Sequence, residues 1–559
     1  MKPKLKIIII LMLMSCFESN FIIASTEKVT QQQEKPLLVD YSQSQTITLG
    51  KYSISLSNLN LHINKWFLLS IKSLGSERYL HLENPIPSNR IELTRRGFRF
   101  VTSKNQTQVN ECALWSEDSI SLVELNFENH SQTFYQLCDG LLYVRLIKPS
   151  NTLLSMTEVT TSLLRKTWIG EGIINFFKPV LVDLEAESDS GIKEIATTTS
   201  IAKDAGRPLA VKMRDLGKYK LVSREHQLGI ELDSKSSVNF GHWNETKMHS
   251  GVYVSMFKPG LIDKNILDHH HSLVREIKPE EKDKLVYVIA YDLSQYSIDY
   301  AVGTKHPAIN QNHELMGVQA SYNKHLVPIG SIPPYEIKDA IGVFIGGFKN
   351  KHGRFKHGPL KGKAYGYIQN GVELETMSAG LATVYLDLEG QVELGKWPEN
   401  RLAQKKLRKR IVSARQNGAM LIEDKIPGPY VKNWKNGNWS GSASGLGQSL
   451  RSGICLQRGE NRHYLLFMAF YSATPSTMAR TMQAYSCTQG MHLDMNAHMY
   501  LHNALYTFQE AKGFKVEYLN KEMLYPKGSK KHRFIMDNNE RDFFYIKRRT
   551  TDPSLVVKN

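Results

Sequence analysis

Short runs in which polar and apolar residues alternate follow one another from Pro36 to Ile147. Two of them are Tyr52-Ser53-Ile54-Ser55-Leu56 and Ser121-Leu122-Val123-Glu124-Leu125, and polar turns separate such runs. A period of two places every second side chain on one face, so each run predicts a strand with one buried face. Many short strands joined by turns are typical of an antiparallel β-sandwich. The pattern predicts a β-rich N-terminal domain over residues 26–150.

Four cysteines beyond residue 25 form two separated couples. Cys112 and Cys138 lie in the first, and Cys455 and Cys487 in the second. In an oxidising compartment, pairing within each couple is the simplest connectivity, although two other connectivities are formally open. A bridge between Cys455 and Cys487 would contribute about 3 kcal/mol by the loop-entropy argument.

The first 25 residues have the order of a secretory signal. Three lysines within residues 2–6 precede the apolar run Ile7 to Met14, and small residues follow at 24–25. The apolar run is too short to span a bilayer, and the sequence predicts no transmembrane segment further on. A periplasmic or secreted protein is therefore expected. Cys16 lies in a loose match to a lipoprotein cleavage box, so lipid attachment is the alternative.

The formal net charge of +17 favours an anionic partner, because a positive field concentrates phosphates and polyanions at the surface. Export argues against nucleic acid. The basic residues are concentrated in 401–410, 527–531 and 547–549. The first of these runs predicts a solvated helix face. The expected partner is a carbohydrate or sugar phosphate, with envelope association as a further possibility.

The periodicity changes along the chain. Residues 151–244 are mixed, with acidic and Thr-rich stretches, and predict a connecting region. From 245 to 510 the pattern alternates between strand and helix periods, which predicts a mixed α/β domain. Residues 511–559 are basic and predict a C-terminal extension. The predicted class is therefore α+β, with an antiparallel N-terminal domain followed by a mixed α/β domain.

One stretch predicts a helix that leads directly into a strand. Thr474-Pro475 supplies an N-cap followed by proline in the first helical position, and Gly490 is interpreted as the stop. Side chains alternate along a strand, so His492, Asp494 and Asn496 would share one face of the strand that follows. Such a polar row marks either a solvent face or the floor of a site.

Ordered segments of residues 247–506 have the character of short apolar strands, hairpins and small-residue turns. They are Gly251–Met256, Val286–Leu293, Asp339–Phe348, Tyr365–Gly371, Leu386–Gly390, Ala414–Leu421, Leu450–Cys455 and Met491–Asp494. In order and character they resemble the phosphodiester glycosidase family, which includes the enzyme that removes N-acetylglucosamine from the phosphate of mannose 6-phosphate tags. Leu450–Cys455 is similar to the family's arginine strand, and Met491–Asp494 to the strand of its Leu-Asp-Gly-Gly motif.

The resemblance implies a hydrolase for a sugar-phosphodiester or related glycosidic linkage, without a cofactor. A phosphate monoester leaves as a stabilised anion, so the site needs a carboxylate for the anomeric centre and a cation for the phosphate. Asp494 would act as nucleophile or base. Arg451 would grip the phosphate, and His492 would move protons or orient substrate.

Further residues are predicted to bind substrate. Gln416 and Asn496 would orient the sugar, and Gly346-Gly347 would let backbone amides approach a phosphate. Trp434 and Trp439 lie in a Gly- and Asn-rich stretch where aromatic rings can stack on sugars. No metal is expected, because no recognised zinc motif is present.

Departures from the family pattern support an alternative. Met495-Asn496 stands where the family has two glycines, and Ile345 stands where it usually has asparagine. Side chains would then occupy space that the family leaves open. The alternative is a catalytically inactive glycan-binding or envelope surface protein on the same fold. For Asp494 and Arg451 alone, the structural alternative is an ion pair at the end of the sheet.

Overall fold

The computed structural model describes most of the chain from residue 43 to residue 549. The described ranges are 43–102, 109–115, 133–146, 192–196, 206–215, 219–223, 228–233, 238–310, 322–349, 360–432, 448–523, 532–535 and 537–549. The predicted signal peptide, Cys16, Trp434 and Trp439 lie outside them. Among these residues no helix is both long and apolar enough to cross a membrane.

The described part of the alternating N-terminal stretch folds as antiparallel strands, whereas the run at 121–125 lies outside the described residues. Strands β1-β2-β3-β4-β9-β8 form a six-stranded sheet and β5-β6-β7 a three-stranded one. Their bounds are β1 Gln43–Leu49, β2 Tyr52–Asn58, β3 Trp66–Ser73, β4 Ser76–Glu83, β5 Asn89–Thr94, β6 Gly97–Thr102, β7 Val109–Ala113, β8 Phe134–Leu137 and β9 Leu142–Arg145. Inward-facing Ile54, Leu69 and Leu82 pack into one core with Phe98 of the smaller sheet. Cys112 is bonded to Cys138, which confirms the first predicted disulfide.

The rest of the described chain is also dominated by strands. They are β10 Ile192–Ala196, β11 Tyr219–Ser223, β12 Asn244–Glu245, β13 Val252–Phe257, β14 Val286–Asp292, β15 Tyr296–Ala301, β16 Ala340–Ile345, β17 Tyr367–Gln369, β18 Val372–Glu375, β19 Ala382–Asp387, β20 Val392–Lys396, β21 Ile411–Gln416, β22 Met420–Glu423, β23 Ile426–Pro427, β24 Ser449–Arg458, β25 His463–Ala473, β26 Gln489–Met495, β27 Asn503–Gln509, β28 Gly513–Tyr518 and β29 Phe543–Arg548. The α-helices in the described ranges are α1 Lys264–Leu267, α2 Pro279–Lys282, α3 Arg401–Arg408 and α4 Pro475–Ala484.

The predicted α+β class with a mixed α/β domain is wrong, because the structure is essentially all-β. Every ladder between the strands named above is antiparallel, for example β24 with β25 and β24 with β26. The longest described helix has ten residues. Both faces of β14 and β25 are buried, so each is a continuous apolar run, and such runs are compatible with a strand or a helix by periodicity alone.

An eight-stranded sheet, β12-β13-β14-β25-β24-β26-β22-β23, forms the centre of the C-terminal half. Helix α4 packs on it through Met478 and Met482. A side chain at Gly453 would come within 2.9 Å of Met482 Cε, and one at Gly490 within 2.7 Å of Met482 Sδ. These two glycines therefore let the helix approach the sheet.

The predicted passage from helix to strand is present, with one difference. Thr474 caps α4 by accepting from the backbone N–H of Thr477. The helix ends at Ala484, and Ser486 takes a positive φ of 55°. Gly490 lies inside β26 and is not the helix stop. Cys487, between α4 and β26, is bonded to Cys455 of β24, which confirms the second predicted disulfide. Two disulfides favour a periplasmic or extracellular location.

Two five-stranded sheets complete the scaffold. The β29 sheet has the order β15-β29-β16-β27-β28, and the β21 sheet has the order β18-β17-β21-β19-β20. Strands β28 and β29 come from the residues predicted as a basic extension. The described residues all belong to one compact unit by their contacts. The boundaries at 150, 244 and 510 stay a prediction.

Candidate active site

Asp494 lies near the end of β26 and is almost completely buried, with 7% of its side chain exposed. Its Oδ2 accepts a hydrogen bond from Nη2 of Arg541. Its Oδ1 accepts from the backbone N–H of Met495 at 2.9 Å. The Asp494 backbone N–H lies 3.2 Å from Ser452 Oγ on the neighbouring strand β24. The carboxylate is therefore fixed by a cation, a backbone amide and a strand ladder.

The ionisation of Asp494 is displaced toward neutrality. Burial raises the pKa of this carboxyl, the nearby charge of Asp542 adds to the rise, and Arg541 and Lys349 oppose it. The net effect raises the pKa of Asp494 from 3.8 to about 6. A carboxylate that titrates near neutral pH is suited to proton transfer or to attack on an electrophile.

Arg541 connects Asp494 to the glycine turn after β16. Besides its bond to Asp494, its Nη2 donates to the backbone O of Gly347 at 2.8 Å. The guanidinium carbon lies 4.8 Å from the ring centroid of Tyr500. The Arg541 backbone N–H donates to Asn539 Oδ1 at 3.0 Å. Arg541 is therefore oriented both by its own backbone and by the turn.

Asp542 is the next residue and forms a second buried ion pair. Its Oδ2 lies 2.8 Å from Nε of Arg415, 3.0 Å from the hydroxyl of Tyr300 and 3.4 Å from the backbone N of Gly347. All three groups donate to this one oxygen. The other oxygen, Oδ1, has no hydrogen-bond partner within the described part of the chain. Oδ2 is thus the bonded edge of the carboxylate.

Arg415 and Asn417 join the β21 sheet to this centre. Arg415 donates to the backbone O of Phe348 at 2.8 Å and to the backbone O of Gln416 at 2.6 Å. Burial alone would lower the pKa of Arg415, but Asp542 and nearby tyrosines more than offset it, so the net pKa is raised. Asn417 donates to the backbone O of His492 at 2.7 Å and accepts from the N–H of Phe348 at 2.9 Å. Three sheets therefore meet around Asp494.

Gly346 and Gly347 are required by the packing of this centre. A Cβ at Gly346 would lie 2.3 Å from Asp542 Oδ2, and one at Gly347 would lie 2.6 Å from Asn417 Oδ1. The Gly346 N–H donates to the backbone O of Asp542 at 2.9 Å. In this structure the two glycine amides therefore bind Asp542, whereas the sequence predicted that they bind a substrate phosphate.

We expect Gly346→Ala to push the Asp542 carboxylate away. Its methyl group overlaps that carboxylate, so the free energy of unfolding should fall by about 1–3 kcal/mol. Gly395→Ala is the matched control, since a Cβ there meets no atom within 4 Å. Urea unfolding of both variants gives the comparison. Equal stability of the two would show that the turn adapts without cost.

Arg451 and His492 lie side by side on β24 and β26. Nη1 of Arg451 is 3.5 Å from Nε2 of His492, and Nε donates to the backbone O of Ala473 at 2.7 Å. Burial lowers the pKa of Arg451 to about 10. Burial and the nearby charge of Arg451 hold the pKa of His492 well below its usual value. His492 is therefore neutral at physiological pH. The cation in contact with Asp494 is Arg541, whereas the structural alternative from the sequence paired Asp494 with Arg451.

Gln416 and Asn496 are engaged in local structure. The Gln416 carbonyl accepts from the N–H groups of Gly366 and Ser378 at 3.0 and 2.7 Å, and its amide donates to Ser378 O and Thr383 Oγ1. Gln416 thus binds the loops of its own sheet. Asn496 leaves the strand with a positive φ of 84°, at a position where the resembled family has glycine. Its Oδ1 accepts from Ser449 Oγ at 2.7 Å.

Sequence reasoning missed four residues of this centre. Arg415 precedes Gln416 in β21, so strand alternation places it on the opposite face, and Asn417 follows directly after the strand ends. Arg541 and Asp542 lie in the stretch taken as a basic extension, although the aromatic run after them is a strand signal. Among the described residues no cluster of three or more His, Cys, Asp or Glu side chains is arranged to hold a metal ion.

No family model matches the sequence, and no curated protein matches it significantly. Solved structures do match. The zebrafish N-acetylglucosamine-1-phosphodiester alpha-N-acetylglucosaminidase catalytic domain, auto-inhibited by its pro-peptide, is 10% identical with a TM-score of 0.30, covering 54% of this chain and 86% of its own. A hypothetical protein from Synechocystis is 8% identical with a TM-score of 0.25, covering 91% and 97%. A putative exported protein from Burkholderia pseudomallei is 10% identical with a TM-score of 0.21, covering 50% and 76%. These are distant likenesses of fold.

Proposed function

We propose that this protein is an exported hydrolase that cleaves a sugar-phosphodiester or related glycosidic linkage, with Asp494 as the reacting carboxylate. The main observation in its support is that Asp494 is almost completely buried, has a pKa raised to about 6 and is fixed by Arg541. Ionisable groups with strongly displaced pKa values concentrate at functional sites. The support comes from the side chains of this chain and from the resemblance of its ordered segments.

The proposed reaction breaks the bond between the anomeric carbon and the phosphate oxygen. Asp494 either attacks the anomeric carbon or takes a proton from the attacking water. The phosphate monoester leaves with the bonding electron pair, and water supplies the hydroxyl of the free sugar. Because phosphate is a stabilised anion, this departure needs little help from a general acid.

Arg451 and His492 are proposed to have a structural role, and not the role in phosphate binding and proton transfer that the resemblance implied. Both are fully buried, and Nε of Arg451 donates to the backbone O of Ala473, the last residue of β25. We assign them to holding the strands around Asp494, because a phosphate arriving from solvent would have to displace this packing to reach Arg451.

The test is a hydrolysis screen of purified protein against α- and β-linked sugar phosphodiesters and simple glycosides. We expect turnover of at least one class. Asp494→Asn should lose this turnover, and Asp424→Asn is its matched control. Asp424 is an exposed hairpin residue with a φ of 50° that asparagine accommodates. Glycan binding without hydrolysis of any compound would overturn the proposal and favour the binding-protein alternative.

The pH dependence of kcat/KM should follow the ionisation of Asp494. A nucleophile or base must be deprotonated, so kcat/KM is expected to rise with pH through an apparent pKa of about 6. Initial rates between pH 4.5 and 8 give this profile. A profile that instead falls through the same region would assign Asp494 as a general acid.

A further inference from the structure

We propose that Asp542 is a positioning residue. It fixes the Gly346-Gly347 turn, and that turn holds Arg541 against Asp494. The inference rests on the proposed function in one respect, since it takes Asp494 as the reacting carboxylate. It deepens that proposal by assigning a role to a residue with no assigned part in the chemistry.

The first link joins Asp542 to the turn. Its backbone O accepts from Gly346 N–H at 2.9 Å, and its Oδ2 lies 3.4 Å from the N of Gly347. The missing side chain at Gly346 leaves the space that the carboxylate occupies. Arg415 and the hydroxyl of Tyr300 hold Oδ2 from the other side. The carboxylate is therefore clamped between the turn and two long side chains.

The second link joins the turn to Asp494. The carbonyl of Gly347 accepts from Nη2 of Arg541, and the same nitrogen donates to Oδ2 of Asp494. One nitrogen thus bridges the turn and the reacting carboxylate. Displacement of the turn would change the position of that nitrogen, and a reacting group misplaced by about 1 Å can lose about 10²-fold in rate.

Charge and position predict opposite effects on Asp494. The charged groups that act on it are Arg541, Lys349 and Asp542. The negative charge of Asp542 raises the pKa of Asp494, so removal of that charge alone should lower it. Loss of the Arg541 contact removes a stabilising cation, so it should raise the pKa of Asp494. The sign of the change therefore distinguishes the two roles.

Two substitutions separate these effects. In Asp542→Asn the amide oxygen can take the place of Oδ2 and accept from the same three donors, while the amide nitrogen takes the place of Oδ1, which has no hydrogen-bond partner among the described residues. This variant removes charge and keeps position. Asp542→Ala removes both the charge and the positioning contacts. The double variant Asp542→Ala with Arg415→Met removes them too, and it leaves no buried arginine without its carboxylate.

The ionisation of Asp494 is measured without substrate. In each background, the free energy of unfolding is determined with and without Asp494→Asn over a range of pH. The midpoint of the pH-dependent change in the difference between the two reports the ionisation. We expect the midpoint to fall in Asp542→Asn and to rise in both alanine variants, with kcat lowered about 10²-fold in the latter. A midpoint that falls in all variants, or moves in none, would overturn the inference. If wild type hydrolyses nothing but the midpoints move as expected, the proposed function fails while the positioning role stands.

Discussion

Asp494→Asn is expected to lower kcat by about 10³-fold or more, the loss typical of a removed nucleophile or base. Asparagine has nearly the same shape and can still accept from the N–H of Met495. It cannot attack an anomeric centre or take a proton. The loss should appear in kcat more than in KM, because the side chain acts on the transition state.

The same substitution should leave the fold as stable or more stable at pH 7. The pKa of Asp494 is raised from 3.8 to about 6 in the folded protein, and the attraction of Arg541 is already part of that balance. Below about pH 3 the carboxyl is protonated in both the folded and the unfolded chain, so it makes no difference there. As the pH rises to 6 the unfolded chain releases the proton first, and the folded state loses up to about 3 kcal/mol.

Neutral asparagine avoids this loss. We therefore expect the variant to match wild type at about pH 3 and to exceed it above pH 6, measured by urea unfolding at both pH values. A structural ion pair would give the reverse, a fall of about 3–5 kcal/mol at pH 7, since Arg541 would lose its buried carboxylate partner. That outcome, or undiminished turnover, would remove Asp494 from the chemistry.

Arg415→Met is expected to have the largest effect on stability. Arg415 and Asp542 are both fully buried, and methionine leaves the Asp542 carboxylate without its bonded cation. Loss of one partner of such a pair costs about 3–5 kcal/mol. The backbone carbonyls of Phe348 and Gln416 also lose a donor.

Arg410→Met is the matched control, because it removes the same group from the same stretch of chain. Arg410 pairs with Glu389 and Asp387 but has 57% of its side chain exposed, so its loss should cost under about 1 kcal/mol. Guanidinium unfolding curves supply the comparison. Similar losses for both variants would mean that the buried pair contributes no more than a surface pair.

Local signals predicted local structure well. Thr474-Pro475 marked the start of α4, and the spacing of the cysteines led to the correct pairs. Gly490 was misread because a glycine after a helix pattern can end the helix or admit it onto a sheet. Only the position of Met482 above Gly490 decides between these, and that contact is tertiary.

The sequence predicted only part of the candidate site, because the other contacts are also tertiary. The strand pattern points to Asp494, but it also points to Gln416, whereas the neighbours Arg415 and Asn417 make the contacts with the centre. A one-residue change of face reverses the role of every side chain on a strand. Arg541 carries no local sign that it meets Asp494, since their pairing depends on β29 lying beside β16.

The origin of Arg541 and Asp542 has a consequence for biogenesis. They directly precede β29, so they are made after every other residue of the centre. Asp542 contacts Tyr300 and Arg415 across 242 and 127 residues of chain. Contacts of such separation close slowly and late. During synthesis the N-terminal sheet can form while Asp494 still lacks its arginine, so activity should be absent from nascent or truncated chains that end before Arg541.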